Sequence, residues 1–159
     1  MKVLLVDDEL HVLEGLSATI DWASMGVTRV ETAENGEEAW RRFRAGPPDL
    51  LITDMVMPRM NGVELIRRVR EADPDLPVII LSGYGDFAYT REAIQHRVSR
   101  YILKPSEPEE IEREIRETLA ETKRRHNRQR VIAELRETME RTLPILREQF
   151  VYGLATGSV

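Results

Sequence analysis

The 159-residue sequence predicts an α/β fold, a doubly wound five-stranded parallel sheet with an extended C-terminal helical segment. Three observations predict it. Five short apolar runs recur along residues 1–106, each of a length that suits a strand buried on both faces. Amphipathic stretches separate them, with apolar residues at helical spacing. The links between them are short, and successive βα units with short links imply parallel strands covered by helices on both faces.

Each element has its own signal. Residues 3–6 are the first apolar run, followed by Leu10, Leu13, Leu16 and Ile20 at helical spacing. Residues 27–30 read as the second strand, after which Asn35 and Glu38 form a capping box for a helix ending near Phe43. Residues 50–53 are the third strand. Asn61 caps the next helix with Glu64 as box partner and Val63, Ile66 and Val69 on the buried stripe. Pro77 leads into the fourth strand, residues 78–81, and Asp86 caps the helix carrying Phe87, Ile94 and Val98. Residues 101–103 are the fifth strand. Ser106 is the expected cap of the last helix, with Pro108 in its first turn and Glu109 as box partner. Trp22 is read as packing on the end of the first helix.

The last helix changes character along its length. Ile111, Ile115 and Leu119 form a stripe that suits the sheet, and residues 120–130 have none. A stripe resumes at Ile132, Leu135, Met139, Leu143, Leu146 and Phe150. The pairs Glu121/Arg125 and Arg130/Glu134 support a solvated helix between the two stripes. Spacings of three and four in the second stripe fit a short coiled-coil seam, with Thr142 at a seam position. Pro144 is expected to kink the helix or open a new one capped by Thr142. The sequence after Tyr152 reads as frayed. An apolar face on a lone helix does not persist uncovered in water, so it must pack on its own receiver, on a second copy or on a missing domain; of these, a homodimer through the C-terminal helices is expected.

Composition excludes several function classes. There is no cysteine, which removes disulfides, thiol catalysis and cysteine-ligated zinc. His11, His96 and His126 match no metal-ligand spacing. No leader-like or membrane-spanning run is found, so a cytoplasmic protein without membrane contact is expected. Residues 1–106 carry 13 Lys/Arg against 17 Asp/Glu, which disfavours direct nucleic-acid binding. Five of the ten basic residues beyond 106 lie between Lys123 and Arg130, where a solvated linker helix is the simpler reading.

In an open parallel sheet, ligands sit beyond the carboxyl ends of the strands, where strand order reverses. Asp7, Asp8 and Glu9 follow the first strand, Asp54 the third, Ser82 the fourth, and Lys104 with Pro105 the fifth. Topology therefore gathers Asp7, Asp8 and Asp54. At about 4 Å and an effective dielectric near 20, each carboxylate pair repels by about 4 kcal/mol. A Mg²⁺ ion relieves this with one or two carboxylates, waters and a phosphate. Lys104 adds a mobile positive charge on the opposite side, and Ser82 a hydroxyl. Together these groups describe phosphoryl transfer to an aspartate.

The motifs VDD, D-x-x-M-P-x-x-N-G, LSG and Y-I-L-K-P, in this order, resemble the receiver domain of two-component response regulators over about residues 1–120. The resemblance implies a flavodoxin-like strand order 2-1-3-4-5 and a sensor histidine kinase as partner. It implies that Asp54 is the phosphoacceptor. Asp8 and Asp54 would bind Mg²⁺ directly, Asp7 through a water, and the backbone carbonyl of Val56 would complete the protein ligands. Ser82 and Tyr101 resemble the family's switch pair, Lys104 would bind a phosphoryl oxygen, and Lys104–Pro105 resembles its cis peptide.

Two positions depart from the family pattern. Arg97 stands where many receivers have glycine, which makes that turn less regular. Val56 is apolar and cannot orient an attacking water, so slow self-dephosphorylation is expected. More narrowly, IDWASMG, SGYGDFAY and the polar helix leading to TLPILREQF are similar to regulators whose receiver precedes an AraC-type DNA-binding module. This implies a receiver domain over 1–120, a helical linker or dimerisation segment over 121–159, and a DNA-binding output missing from the chain.

Other readings stand beside this one. The aspartates could cap helices, and Tyr101 could be only a half-buried strand residue. A stand-alone receiver would act by protein docking. A Mg²⁺-dependent aspartate-nucleophile phosphatase usually carries D-x-D, whereas this chain has D-M-V with no acid to serve as general acid. A conventional enzyme is therefore not expected.

Overall fold

A computed structural model describes residues 1–83 and 87–156, with the side chains of 1–83 and 91–143. The elements are β1 (Lys2–Val6), α1 (Leu10–Thr19), β2 (Arg29–Ala33), α2 (Gly36–Ala45), β3 (Leu50–Thr53), α3 (Gly62–Ala72), β4 (Val78–Ser82), α4 (Phe87–Gln95), β5 (Arg100–Leu103) and α5 (Pro108–Thr156). A 3-10 turn, Ala23–Met25, precedes β2. The five strands are all parallel, in the order β2-β1-β3-β4-β5. Residues 1–120 and 121–159 form two compact units.

Strand alternation divides the core of the first unit into two layers. Val3, Leu5, Leu50, Ile52, Ile79, Leu81 and Ile102 pack with Leu13 and Leu16 of α1 and with Ile111, Ile115 and Leu119 of α5. Leu4, Val6, Leu51, Val78 and Ile80 pack on the other face with Phe43, Leu65, Ile66 and Val69. β3 and β4 are buried throughout, as sheet-centre strands covered by helices must be. Trp22 is buried at the end of α1, its Nε1 donating to Leu16 O at 3.2 Å.

Several local expectations are corrected. β2 begins at Arg29 rather than at residue 27, because it is an edge strand with only Ala33 fully buried. Val27 is instead buried in the preceding loop, its N–H bonded to Trp22 O at 3.1 Å. Leu10 and Ile94 face outward, 53% and 70% exposed, and Ala93 takes the buried place on α4. Asn35 and Asn61 do cap their helices, accepting from Glu38 N at 2.8 Å and Glu64 N at 3.0 Å. The reciprocal half of each box differs: Glu38 accepts from Glu34 N, and Glu64 bonds Arg67 at 2.6 Å. That Arg67 hydrogen bond holds the Glu64 carboxyl below its ordinary pKa.

Ser106 does not cap α5, since its hydroxyl donates to Leu103 O, and Glu107 O accepts the first helical bond, from Ile111 N at 3.2 Å. The Asp86 cap and the Phe87 side chain lie outside the described residues. In the second unit α5 runs through Pro144 without a break. Thr142 is no cap there, because its hydroxyl donates to Thr138 O at 2.8 Å within the helix.

Candidate functional site

The order of strands reverses between β1 and β3, and their register sets Val6 beside Thr53. The next residues, Asp7 and Asp54, therefore emerge side by side at the carboxyl end of the sheet. Both stay on the ladder, with Asp54 N donating to Val6 O at 2.9 Å and Asp7 N to Ala33 O at 3.1 Å. Asp8 follows at the exposed rim, and one carboxylate oxygen each from Asp7, Asp8 and Asp54 lie within 4.8 Å of one another. Lys104 arrives from β5, its N–H bonded to Ser82 O at 2.6 Å, and precedes a cis Lys104–Pro105 bond.

The charges are unequally shared. Lys104 Nζ lies 2.6 Å from Asp7 Oδ2 and 3.3 Å from Asp54 Oδ2. It thus bridges two of the acids directly, where a charge on the opposite side of the site was expected. The remaining oxygens accept from main chain, Asp7 Oδ1 from Glu9 N at 2.9 Å and Asp54 Oδ1 from Met55 N at 2.7 Å. Burial pushes the Asp54 carboxyl above its ordinary pKa; the Asp7 charge adds to this, while Lys104 and the Met55 N–H oppose it. For Lys104, burial acts to lower the pKa, but the contacts with Asp7 and Asp54 outweigh it and the net shift is upward. One ammonium facing three carboxylates leaves an excess of negative charge on hard oxygen ligands, which is the donor set a small divalent cation takes.

Residues 3–116 match the family model described as the response regulator receiver domain. The chain belongs to the response regulator receiver family. The chain is 36% identical over 156 residues to the transcriptional regulatory protein YesN of Bacillus subtilis, a match covering 98% of this chain and 42% of YesN. It is 42% identical over 111 residues to the transcriptional regulatory protein HptR of Staphylococcus aureus, covering 70% of this chain and 43% of HptR. The chain thus spans less than half the length of these relatives. Among solved structures, the receiver domain of AraT, a response regulator from Geobacillus stearothermophilus, is similar with a TM-score of 0.70 and 36% identity, over 81% of this chain and 97% of that one. A two-component transcriptional regulator AraC from Clostridium phytofermentans gives 0.71 and 35%, over 81% and 98%.

The receiver's other candidate residues spread around this centre. Ser82 is fully buried at the end of β4. Tyr101, which pairs in register with Ile80, is half-buried against the layer formed by α2 and α3. Val56 is 50% exposed just beyond Asp54, and its side chain offers no polar group to the site. Arg97 adopts φ +57°, the left-handed conformation that glycine suits, and its carbonyl accepts from Arg70 Nη2 at 3.2 Å.

Two glycines, of which the sequence motif D-x-x-M-P-x-x-N-G already includes Gly62, hold the loop after Asp54. A Cβ on Gly62 would sit 2.2 Å from Asp54 O and 2.9 Å from Met55 Cα, both main-chain atoms that cannot yield. Its N–H donates to Met55 O at 2.8 Å. Gly36 does the same from α2, with a Cβ position 2.3 Å from Met60 O and an N–H bonded to that oxygen at 3.1 Å. The signal is the repeated N-G-x-E at residues 35–38 and 61–64, whose asparagines and glutamates read as capping boxes while the glycines between them mark the close approach.

Proposed function

We propose that this receiver accepts a phosphoryl group on Asp54 from the phosphohistidine of a sensor histidine kinase, with Mg²⁺, and so controls a DNA-binding output carried outside this chain. The observation that carries the reading is the meeting of Asp7, Asp8 and Asp54 within 4.8 Å with Lys104 against two of them. An Asp54 oxygen attacks phosphorus, the new O–P bond forms as the N–P bond breaks, and the histidine leaves with its electron pair. Mg²⁺ held by Asp7, Asp8, Asp54 and the Val56 carbonyl would offset negative charge on the oxygens in transfer. Lys104 then leaves Asp54's carboxylate for a phosphoryl oxygen, and the Ser82 hydroxyl and Tyr101 ring answer the new group as a switch pair. Repacking along β4 and β5 passes to α5, and through it to a homodimer formed by the C-terminal helices.

The relatives named as transcriptional regulators, each more than twice the length matched here, support an output domain following a receiver over 1–120 and a linker over 121–159. Among the described residues no helix is long and apolar enough to cross a membrane. A cytoplasmic setting follows from the reading itself, since kinase phosphohistidine and DNA are both met there. The domain is consumed as acceptor, so it is a signalling module rather than a turnover enzyme. Because Val56 cannot orient water, the acyl phosphate is long-lived, and Val56→Asn shortens its lifetime by about tenfold, equivalent to about 1.4 kcal/mol of barrier. A lifetime of seconds in the native chain without a phosphatase would contradict this.

The test is intact mass after incubation with acetyl phosphate, with and without Mg²⁺, beside Asp54→Ala. A single Mg²⁺-dependent adduct, absent from the variant, is expected. No adduct despite measurable Mg²⁺ binding would mean that the domain works by docking alone.

A further inference from the structure

The two ends of β5 are held by different kinds of contact. At its start, Arg70 of α3 bonds main-chain carbonyls in two turns with one guanidinium. Its Nε donates to His96 O at 2.7 Å and its Nη2 to Arg97 O at 3.2 Å, in the turn between α4 and β5. Its Nη1 donates to Leu76 O at 2.5 Å and to Asp73 O at 3.4 Å, in the turn between α3 and β4. The planar fork therefore ties neighbouring turns together and sets a positive charge at the carboxyl ends of α3 and α4. A lysine ammonium gathers its donors at one point and does not span both turns. Arg97 stands in the left-handed region at φ +57°, a conformation that persists where the surroundings over-determine it, and the bond from Arg70 supplies part of that restraint.

The next residues are also fixed. Ser99 N donates to Val78 O at 2.7 Å. Arg100, the first residue of β5, faces α5, with its Nε 2.9 Å from Glu114 Oε2 and its Nη2 4.0 Å from Glu117 Oε2. None of these Arg70 and Arg100 contacts includes a residue of the acceptor site. The far end differs. Lys104 follows β5, and its Nζ contacts only carboxylates whose charge changes when Asp54 takes a phosphoryl group, Asp7 at 2.6 Å and Asp54 at 3.3 Å. β5 is an outer strand, and a cleft of about 400 Å³ lies between it and α5, with Tyr101, Leu103, Ser106 and Glu110 in its lining. Room is thus present beside Tyr101 and Leu103.

We infer that β5 is a pivoted strand: Arg70, aided by Arg100, is a positioning residue that fixes its start, so that phosphorylation of Asp54 displaces residues 101–104 and leaves residues 96–100 in place. This rests on the acceptor reading above and deepens it by naming where the change stops. A new charge on Asp54 redraws the contacts of Lys104 and leaves those of Arg70 as they are. The displacement is thereby directed into the loop that opens α5 and kept from α3.

Backbone amide hydrogen exchange on the full chain, with and without acetyl phosphate and Mg²⁺, reads both ends of the strand, and intact mass on the same samples reports the adduct. Phosphorylation should change exchange at residues 101–107 by about tenfold and at residues 97–100 by less than about twofold. In Arg70→Lys, residues 97–100 should exchange about tenfold faster before phosphorylation and should now respond to it, while the adduct still forms. Should Arg70→Lys not fold, Arg100→Gln, which loses the tie to Glu114 and keeps the Arg70 contacts, is expected to make residues 99–101 responsive in the same way. A native chain whose residues 97–100 respond as strongly as 101–104 overturns the pivot and leaves the acceptor reading intact. The same holds for an adduct that changes nothing at 101–107. A turn that exchanges faster in Arg70→Lys yet stays unresponsive makes Arg70 a structural tie only and overturns its positioning role. No adduct on the native chain overturns the acceptor reading, and the pivot with it.

Discussion

Removing the charge of Asp54 should stabilise the cation-free protein. One oxygen of Asp54 lies within 4.8 Å of an oxygen of Asp7 and of Asp8, and another contact sets it 3.3 Å from Lys104 Nζ. At an effective dielectric near 20, charge contacts of these lengths are worth about 3.5–5 kcal/mol each and largely offset one another, so burial of the carboxylate, reinforced by the Asp7 charge and opposed by Lys104, tips the balance against the charge. Asp8 is exposed and its charge is screened by solvent, so relief of the buried charge alone sets the gain, and Asp54→Asn is expected to gain about 1 kcal/mol. The amide oxygen can still accept from Met55 N, so the substitution removes a charge and keeps that hydrogen bond. Thermal unfolding in EDTA at neutral pH should show a Tm about 3–5 °C higher. Because the folded pKa of Asp54 lies above its unfolded value, its ionisation opposes folding. The wild type loses stability as pH rises from the unfolded to the folded pKa, so the advantage of Asp54→Asn is full above that window and vanishes below it. Added Mg²⁺ should narrow the gap. A variant less stable than wild type in EDTA, or an advantage that grows towards acid, would refute the electrostatic reasoning.

Other perturbations follow from the same geometry. Gly62→Ala drives a Cβ into the Asp54 and Met55 main chain and should cost about 2–3 kcal/mol in urea unfolding, with the phosphodonor adduct reduced in parallel. Lys104→Met leaves the buried Asp7 carboxylate without its 2.6 Å partner and should cost about 2 kcal/mol at neutral pH, partly restored by Mg²⁺. Since the folded pKa of Lys104 is raised, its stabilisation is fully present below the ordinary lysine value of about 10.4 and lost as pH climbs beyond it; the Met variant should lack that alkaline loss. At Arg97, where φ is +57°, Gly should be more stable than Ala by about 1 kcal/mol by chemical denaturation.

The residues that sequence reading placed well are those whose signal is local. The buried runs of β3 and β4 are apolar because both faces are covered, and Asn35 and Asn61 announce helix starts through their own side chains. Misreadings arose where tertiary context decides. Val27 is as buried as a strand residue but sits in a loop under Trp22, and the true edge strand β2 is half polar. Ile94 looks like a core residue of α4, yet the small Ala93 faces the sheet. Ser106 has a capping side chain, but its hydroxyl turns back to Leu103 O. The site's members followed from topology, since residues after β1, β3 and β5 must converge at one edge. The direct contact of Lys104 with Asp7, and the close approach of Gly62 to the Asp54 main chain, depend on distances that no one-dimensional spacing carries.

The most direct test of phosphoryl transfer to Asp54 is to locate the group covalently. The full chain is incubated with acetyl phosphate and Mg²⁺, treated with borohydride, which reduces an aspartyl phosphate to homoserine, and sequenced as peptides by mass spectrometry. The account predicts homoserine at position 54, dependent on Mg²⁺ and on phosphodonor. Unmodified Asp54 with a phosphoryl group on another side chain would contradict it.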